Sequence, residues 1–305
     1  MTPLEAKVSV IDPISPAIER VKTILFRPFD LGKWFVIGFC AWLAYLGRGG
    51  GGGGGGPNFQ HNGEARQAIE QARHFIIENL FWIVPVAIFV VALIIVLWLV
   101  IAWLSSRGRF MFLHCVANNK AEVTIPWTKF RQHANSLFGF RVVLGLIGFG
   151  VVALPIVAAI GLIVLMVHRG GPLMSIIGIV MVILVIFTLS LVFFLIQKFT
   201  TDFVVPIMFL RRERCVAAWR EFLTILSANK GRFALYILFQ IVIALCTSTI
   251  VFAAMCLTCC CLACILAIPY IGTVVLLPLL VFGRAYSLYY LRQFGPQFDV
   301  FSPEI

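Results

Sequence analysis

The chain has 305 residues, 61% of them hydrophobic and 12% charged, and its mean hydropathy is +1.01. That composition leaves little material for a soluble domain and points to an all-α fold, a polytopic transmembrane helical bundle forming one membrane domain over residues 1–305. The net charge of +11 reads as topology and contact with anionic headgroups, since there is no basic soluble domain to bind nucleic acid.

Residues 34–47, 82–106, 142–167, 170–197 and 233–283 contain no Lys, Arg, Asp or Glu. A helix needs ~20 apolar residues to cover ~30 Å of hydrocarbon. The last stretch, at 51 residues, is long enough for two spans, so the expected number of crossings is six. The N-terminal tail comes first, with Ser15-Pro16 set to cap and open a short helix. The first span, Trp34 to Gly47, rises only ~21 Å, so Lys33 and Arg48 snorkel or the helix begins back at Leu31. A cleaved signal peptide fits this region poorly, because several charges precede the apolar run and no small-residue cleavage site follows it.

Eight consecutive glycines, Gly49 to Gly56, lie within a tether over 47–57. Such a run is costly to hold in one conformation. An amphipathic segment from Glu64 to Leu80 then leads into the second span at Phe81-Trp82. Beyond that span, Trp127, Phe130, Ala134, Leu137 and Phe138 line one helical face, and Lys129, Arg131, Gln132 and His133 another. His168 to Pro172 makes a tight turn between the third and fourth spans. After the fourth, Val216, Trp219, Phe222, Leu223 and Leu226 oppose Arg214, Arg220 and Glu221.

Trp127-x2-Phe130-x8-Gly139 and Trp219-x2-Phe222-x8-Gly231 share one spacing, and Arg20-x2-Thr23-x8-Gly32 echoes it. Met111-Phe112-Leu113 and Met208-Phe209-Leu210 close the second and fourth spans, while Gly108-Arg109 and Gly283-Arg284 follow the second and sixth. These matches predict three helix-hairpin units, 14–113, 118–210 and 214–291, each introduced by an interfacial amphipathic helix, and a tail over 292–305. Trp127, Phe130, Arg131, Trp219, Arg220 and Phe222 are the expected interfacial anchors. The first reading of these helices is simple packing on the bundle, and the second a lipid-sensing or partner-docking role.

Twenty of the 24 Lys and Arg fall on one set of alternating loops and tails, leaving only Arg48, Arg66, Arg73 and Arg169 opposite. Lys and Arg near short loops are retained in the cytoplasm, so both ends of the chain are expected there, in the inner membrane of the cell.

Chemistry is sparse. Cys256, Cys259, Cys260, Cys261 and Cys264 have a spacing that suits a tetrahedral metal, but their flanks are apolar and no histidine is near. Packing, disulfide formation and metal binding stay open for them. Asp202 is an acid in an apolar stretch, with Lys198 four residues earlier to pair with it. Gln197, Thr201, Asp202 and Gln240 form a candidate polar cluster within the membrane. No hydrolase, metalloprotease or phosphotransfer motif occurs, and no carboxylate lies deep in a span. These readings predict a non-enzyme without a cofactor, which interacts with lipid or a membrane-protein partner. The alternative is a permease or channel for a small or lipidic solute. The sequence names no partner or oligomeric state.

Arg27-Pro28-Phe29-Asp30-Leu31-Gly32-Lys33-Trp34 with the following glycines, and the run from Pro269 through Gly283-Arg284-Ala285-Tyr286-Ser287-Leu288 to Gln293-Phe294-Gly295-Pro296, carry a resemblance. They resemble a family of uncharacterised prokaryotic polytopic membrane proteins. That family is distantly similar to the membrane domain fused to some glycerophosphodiester phosphodiesterases. No phosphodiesterase domain is present in this sequence, so the resemblance assigns that activity to no residue.

Overall fold

A computed structural model describes residues 8–47, 78–169, 172–258 and 261–301. The octaglycine run, most of the amphipathic segment before the second span, Gly170-Gly171, Cys259 and Cys260 lie outside the described residues. Within them the chain is all-α, with no strand.

Helix α1 is Ile14–Val21, continued by a π-helical turn over Lys22–Phe26. Helix α2, Leu31–Tyr45, starts where the Asp30 carboxylate accepts the Gly32 N–H at 2.8 Å, satisfying an otherwise orphaned first-turn donor. Helix α3, Leu80–Asn118, ends at Asn119, whose left-handed backbone (φ 55°) terminates it. Helices α4, Thr124–Lys129, and α5, Arg131–Arg169, follow. Helix α6, Pro172–Phe199, runs through a π-helical turn, Thr200–Val204, into α7, Val205–Arg211. Helices α8, Cys215–Ala228, and α9, Lys230–Leu257, precede the short α10, Cys261–Ala267, and α11, Pro269–Val275. Helix α12, Leu277–Arg292, completes the set.

The π turn has a cause in the sequence. Pro206 has no N–H to give the Asp202 carbonyl, so the regular ladder cannot pass it. The Val205 N–H reaches back to the Thr200 carbonyl, five residues earlier. Arg284 donates to the neighbouring Thr201 carbonyl from α12.

Among the described residues, four helical segments are long and apolar enough to cross a membrane: Phe81–Asn118, Arg131–Gly161, Ile177–Arg211 and Lys230–Leu257. A fifth forms only if α11 and α12 are taken together, and these are bent by 65° at Leu276. The break falls just before Pro278, which suits the first turn of a helix and resists its interior. The expected first span, α2, has 15 residues and rises only ~22 Å. The described residues thus hold four or five candidate crossings, against the six expected from the charge pattern.

Helices α3 and α5 each have 39 residues, ~58 Å of rise against ~30 Å of hydrocarbon. Their apolar parts carry exposed rings such as Phe89 and Phe149, as lipid-facing segments do. Their basic ends are packed instead. There Phe110 and Phe130 stack at 5.9 Å and Phe130 and Phe209 at 4.8 Å. Phe203 meets Phe222, Phe233 and Tyr236 within 5.3 Å. Burying each such ring is worth ~1.5–3 kcal/mol before cavity terms.

Packing crosses the expected unit boundaries. Helix α1 lies on α12, and α2 lies between α3 and α11. Gly108 allows the α2–α3 crossing, because a Cβ there would stand 2.4 Å from the Ala44 nitrogen and from the Leu43 carbonyl carbon. Near the two ends of the chain, Gln293 and Ser9 exchange hydrogen bonds of 2.7 and 2.9 Å, and the Tyr286 hydroxyl donates to the Val10 carbonyl at 2.8 Å.

Candidate functional site: a cation-floored cavity

Above the packed end, α3, α5, α6 and α9 diverge around a cavity of about 1000 Å³. Its α5 wall is set by a helical stripe, Arg141, Leu144, Gly145, Gly148 and Val152. The glycines let neighbouring rings approach: a Cβ on Gly145 would meet Trp98 at 3.0 Å, and one on Gly148 would meet Phe193 at 3.3 Å. Leu191, Phe193 and Phe194 form the α6 wall, and Ile237, Ile241 and Ala244 the α9 wall.

Cations and amides gather at the floor: Arg109, Arg141, Gln197, Lys198 and Gln240. The Arg141 guanidinium donates to the Ala102 carbonyl at 3.2 Å and to Ser106 Oγ at 3.1 Å, which ties α5 to α3. Lys198 Nζ lies 2.8 Å from Asp202 Oδ2 and donates to Gln240 Oε1 at 3.3 Å. The Tyr236 hydroxyl donates to Asp202 Oδ2 at 2.9 Å and accepts from Gln240 Nε2 at 3.0 Å. Lys198, Asp202, Tyr236 and Gln240 thus close a ring between α6 and α9. An acid at this depth is costly without such partners.

The expected polar cluster is only partly assembled. Asp202 and Gln240 meet through Tyr236, and Gln197 lines the cavity. The Thr201 hydroxyl instead donates to the Gln197 carbonyl of its own helix at 2.9 Å. Sequence reasoning missed Tyr236, and it counted Arg109 and Arg141 as loop charges although both sit on helices. The signal for Arg141 was available in the small-residue stripe that begins with it.

Among the expected anchors, Phe130 and Phe222 point into the protein core, where they are 2% and 0% exposed. Trp219 is half-buried, 5.6 Å from Phe222. Trp127 and Trp103 hold the Arg107 guanidinium between them, at 4.6 and 4.4 Å from the ring centroids. Arg131 and Arg220 remain exposed. The protein's own core covers Phe130, Ala134, Leu137 and Phe222 of the expected apolar faces, while Val216 and Leu223 stay exposed at 64% and 49%.

Among the described residues no group of three metal-ligating side chains occurs. Cys256 and Cys264 are free and exposed, and Cys261 lies at the start of α10. Cys40 and Cys115 lie with their sulfurs 3.9 Å apart in the core. Cys215 is buried at the start of α8, where burial pushes its thiol up to about 12.

No curated protein matches the chain, and no solved structure matches it. The more distant likeness to phosphodiesterase-fused membrane domains rests on the sequence resemblance alone. Residues 8–291 match the model of a family of unknown function, DUF7544, and the chain belongs to that family.

Proposed function

We propose that the chain is a non-enzymatic, multi-pass inner-membrane module that engages anionic lipid through its basic end, with that end and both chain ends in the cytoplasm. The supporting observation is the surface of the packed end. Lys22, Arg27, Lys129, Arg131, Arg212, Arg214 and Arg220 are exposed there, while Phe130 and Phe222, beside the later ones, turn inward. Cations freed from packing in this way are placed to meet headgroups, at ~1 kcal/mol each near an anionic surface. The three-unit plan is kept, with α2 and the bent α11–α12 pair as its partial crossings. A membrane-protein partner on the same surface is the other occupant to test.

Reconstitution of the full chain into nanodiscs of zwitterionic lipid, with and without phosphatidylglycerol, tests the reading. Thermal stability should rise with the anionic fraction, fall with added salt, and lose its lipid dependence in an Arg131→Gln/Arg214→Gln/Arg220→Gln variant. Indifference of the wild-type chain to anionic lipid would sink it. Reporter fusions at residues 12, 120, 213 and 295 should all report the cytoplasm. The cavity, with Gln197 and Gln240 at its floor, favours a second reading as a permease. Against it stands the Lys198–Asp202–Tyr236 ring, backed by Phe203, across the inner end. Solute flux in proteoliposomes above that of empty vesicles would favour the permease.

A further inference from the structure

We infer that the cavity between α3, α5, α6 and α9 is a binding site for one anionic glycerophospholipid, drawn sideways from the leaflet, with its phosphate on the floor cations and its acyl chains against the α5 and α6 walls. The inference rests on the reading that the basic end faces headgroups, and goes beyond it by placing a lipid inside the fold.

Depth is the first argument. Arg141 immediately precedes the uncharged run 142–167, Lys198 immediately follows the run 170–197, and Arg109 lies three residues beyond the run 82–106. Three helices thus bring a cation to the same boundary between hydrocarbon and headgroup, and all three cations line one cavity. A phospholipid has its phosphate at that depth.

Charge is the second. Asp202 answers Lys198, and among the described residues no acidic side chain lines the cavity. Arg109 and Arg141 hold partners of their own in the protein, and what the lining offers a phosphate is three cations gathered at one depth. A phosphate diester, acting through charge-assisted bonds, is the complement a membrane supplies.

Shape is the third. Ligand pockets run from ~300 to ~1000 Å³, and an inorganic anion needs far less than the upper end of that range. The space beyond the cations is walled by Leu144, Val152, Leu191 and Phe193, surfaces suited to an acyl chain and not to a free ion. Leu191 and Phe194 on the rim are exposed, at 48% and 60%, so the cavity opens to the side where lipid lies.

The test uses the full chain in a mild non-ionic detergent, with native mass spectrometry after adding phosphatidylglycerol, phosphatidylcholine or inorganic phosphate. The wild type should retain one phosphatidylglycerol in preference to phosphatidylcholine, and free phosphate should not displace it. Arg141→Gln should lower that retention by about tenfold or more, the loss of a charged hydrogen-bond partner. Ala244→Trp fills the cavity from the α9 wall and leaves every cation in place, so it should displace the lipid even if Arg141→Gln does not fold. Arg220→Gln, on the outer surface, should leave the retained lipid unchanged. Equal retention of the two lipids, displacement by phosphate alone, or full retention in Ala244→Trp would overturn the inference. Loss of the nanodisc response with the single lipid still held would count against the surface reading and leave the cavity site standing.

Discussion

Replacing Gly108 with alanine tests the close α2–α3 crossing next to Arg109. The new methyl carbon would stand 2.4 Å from the Ala44 nitrogen and the Leu43 carbonyl carbon, and 2.6 Å from Leu43 Cβ. The first two are backbone atoms of a packed helix, so no side chain can swing away and α2 as a whole must shift. Overpacking of this kind costs ~1–3 kcal/mol, and contact with backbone belongs at the upper end. Alanine recovers ~0.5–1 kcal/mol of helix propensity, leaving a net loss of ~2 kcal/mol. At ~2.1 cal/mol/K of unfolding entropy per residue over 305 residues, that loss corresponds to a Tm lower by about 3 °C. Gly139→Ala is the matched control: Gly139 is also inside a long helix, but nothing lies within 4 Å of its added Cβ. It should hold or raise Tm. The assay is thermal unfolding of both variants in one detergent, followed by tryptophan fluorescence. A Gly108→Ala protein as stable as Gly139→Ala would refute the close crossing.

Two further outcomes follow from the packed end. Tyr236→Phe removes a donor to Asp202 and an acceptor for Gln240 while keeping the ring stacked near Tyr286 and Tyr290, so it should cost ~1–3 kcal/mol in thermal unfolding. A neutral result would mean the Lys198–Asp202–Tyr236–Gln240 ring does not hold α6 to α9. Cys215 should resist alkylation at pH 8 in the folded protein, because burial raises its thiol to about 12 and leaves almost no thiolate. Peptide mass spectrometry should find it labelled only after denaturation, and rapid labelling of the native chain would contradict its burial.

The charge pattern made the helical class and the basic end legible, because both follow from composition along the chain. Tertiary facts were not. The run 233–283 sums to two spans by hydropathy, yet Pro278 breaks its second half, and hydropathy does not register where a backbone bends. The period of Trp127, Phe130 and Leu137 identifies an apolar face but cannot say whether lipid or Phe110 and Phe209 will cover it. Arg109 and Arg141 were each visible as a cation at the end of an uncharged run. Their convergence depends on α5 packing against α3, where Arg141 bonds Ala102 and Ser106, which no one-dimensional pattern encodes.

Pro206 ties these facts together and yields a sharper test. In an ordinary helix interior, proline costs ~3 kcal/mol relative to alanine, so Pro206→Ala should be strongly stabilising if the helix alone decides. The structure argues otherwise. The π turn that Pro206 imposes inserts one residue into the helix, and an α-helix turns ~100° per residue. Closing the bulge would rotate everything before Thr200 against everything after Val204. Gln197 and Lys198 now face the cavity while Phe203 and Phe209 face the core, and a regular helix could not keep both. The Thr201 carbonyl would also turn from Arg284, leaving a buried guanidinium short of a partner. Pro206→Ala should therefore gain little or lose stability in thermal unfolding, and it should weaken retention of an anionic lipid by moving Lys198. A variant more stable by the full ~3 kcal/mol would show that the bulge is strain to be relieved. A flat or negative change would identify it as the device that lets one helix serve both cavity and core.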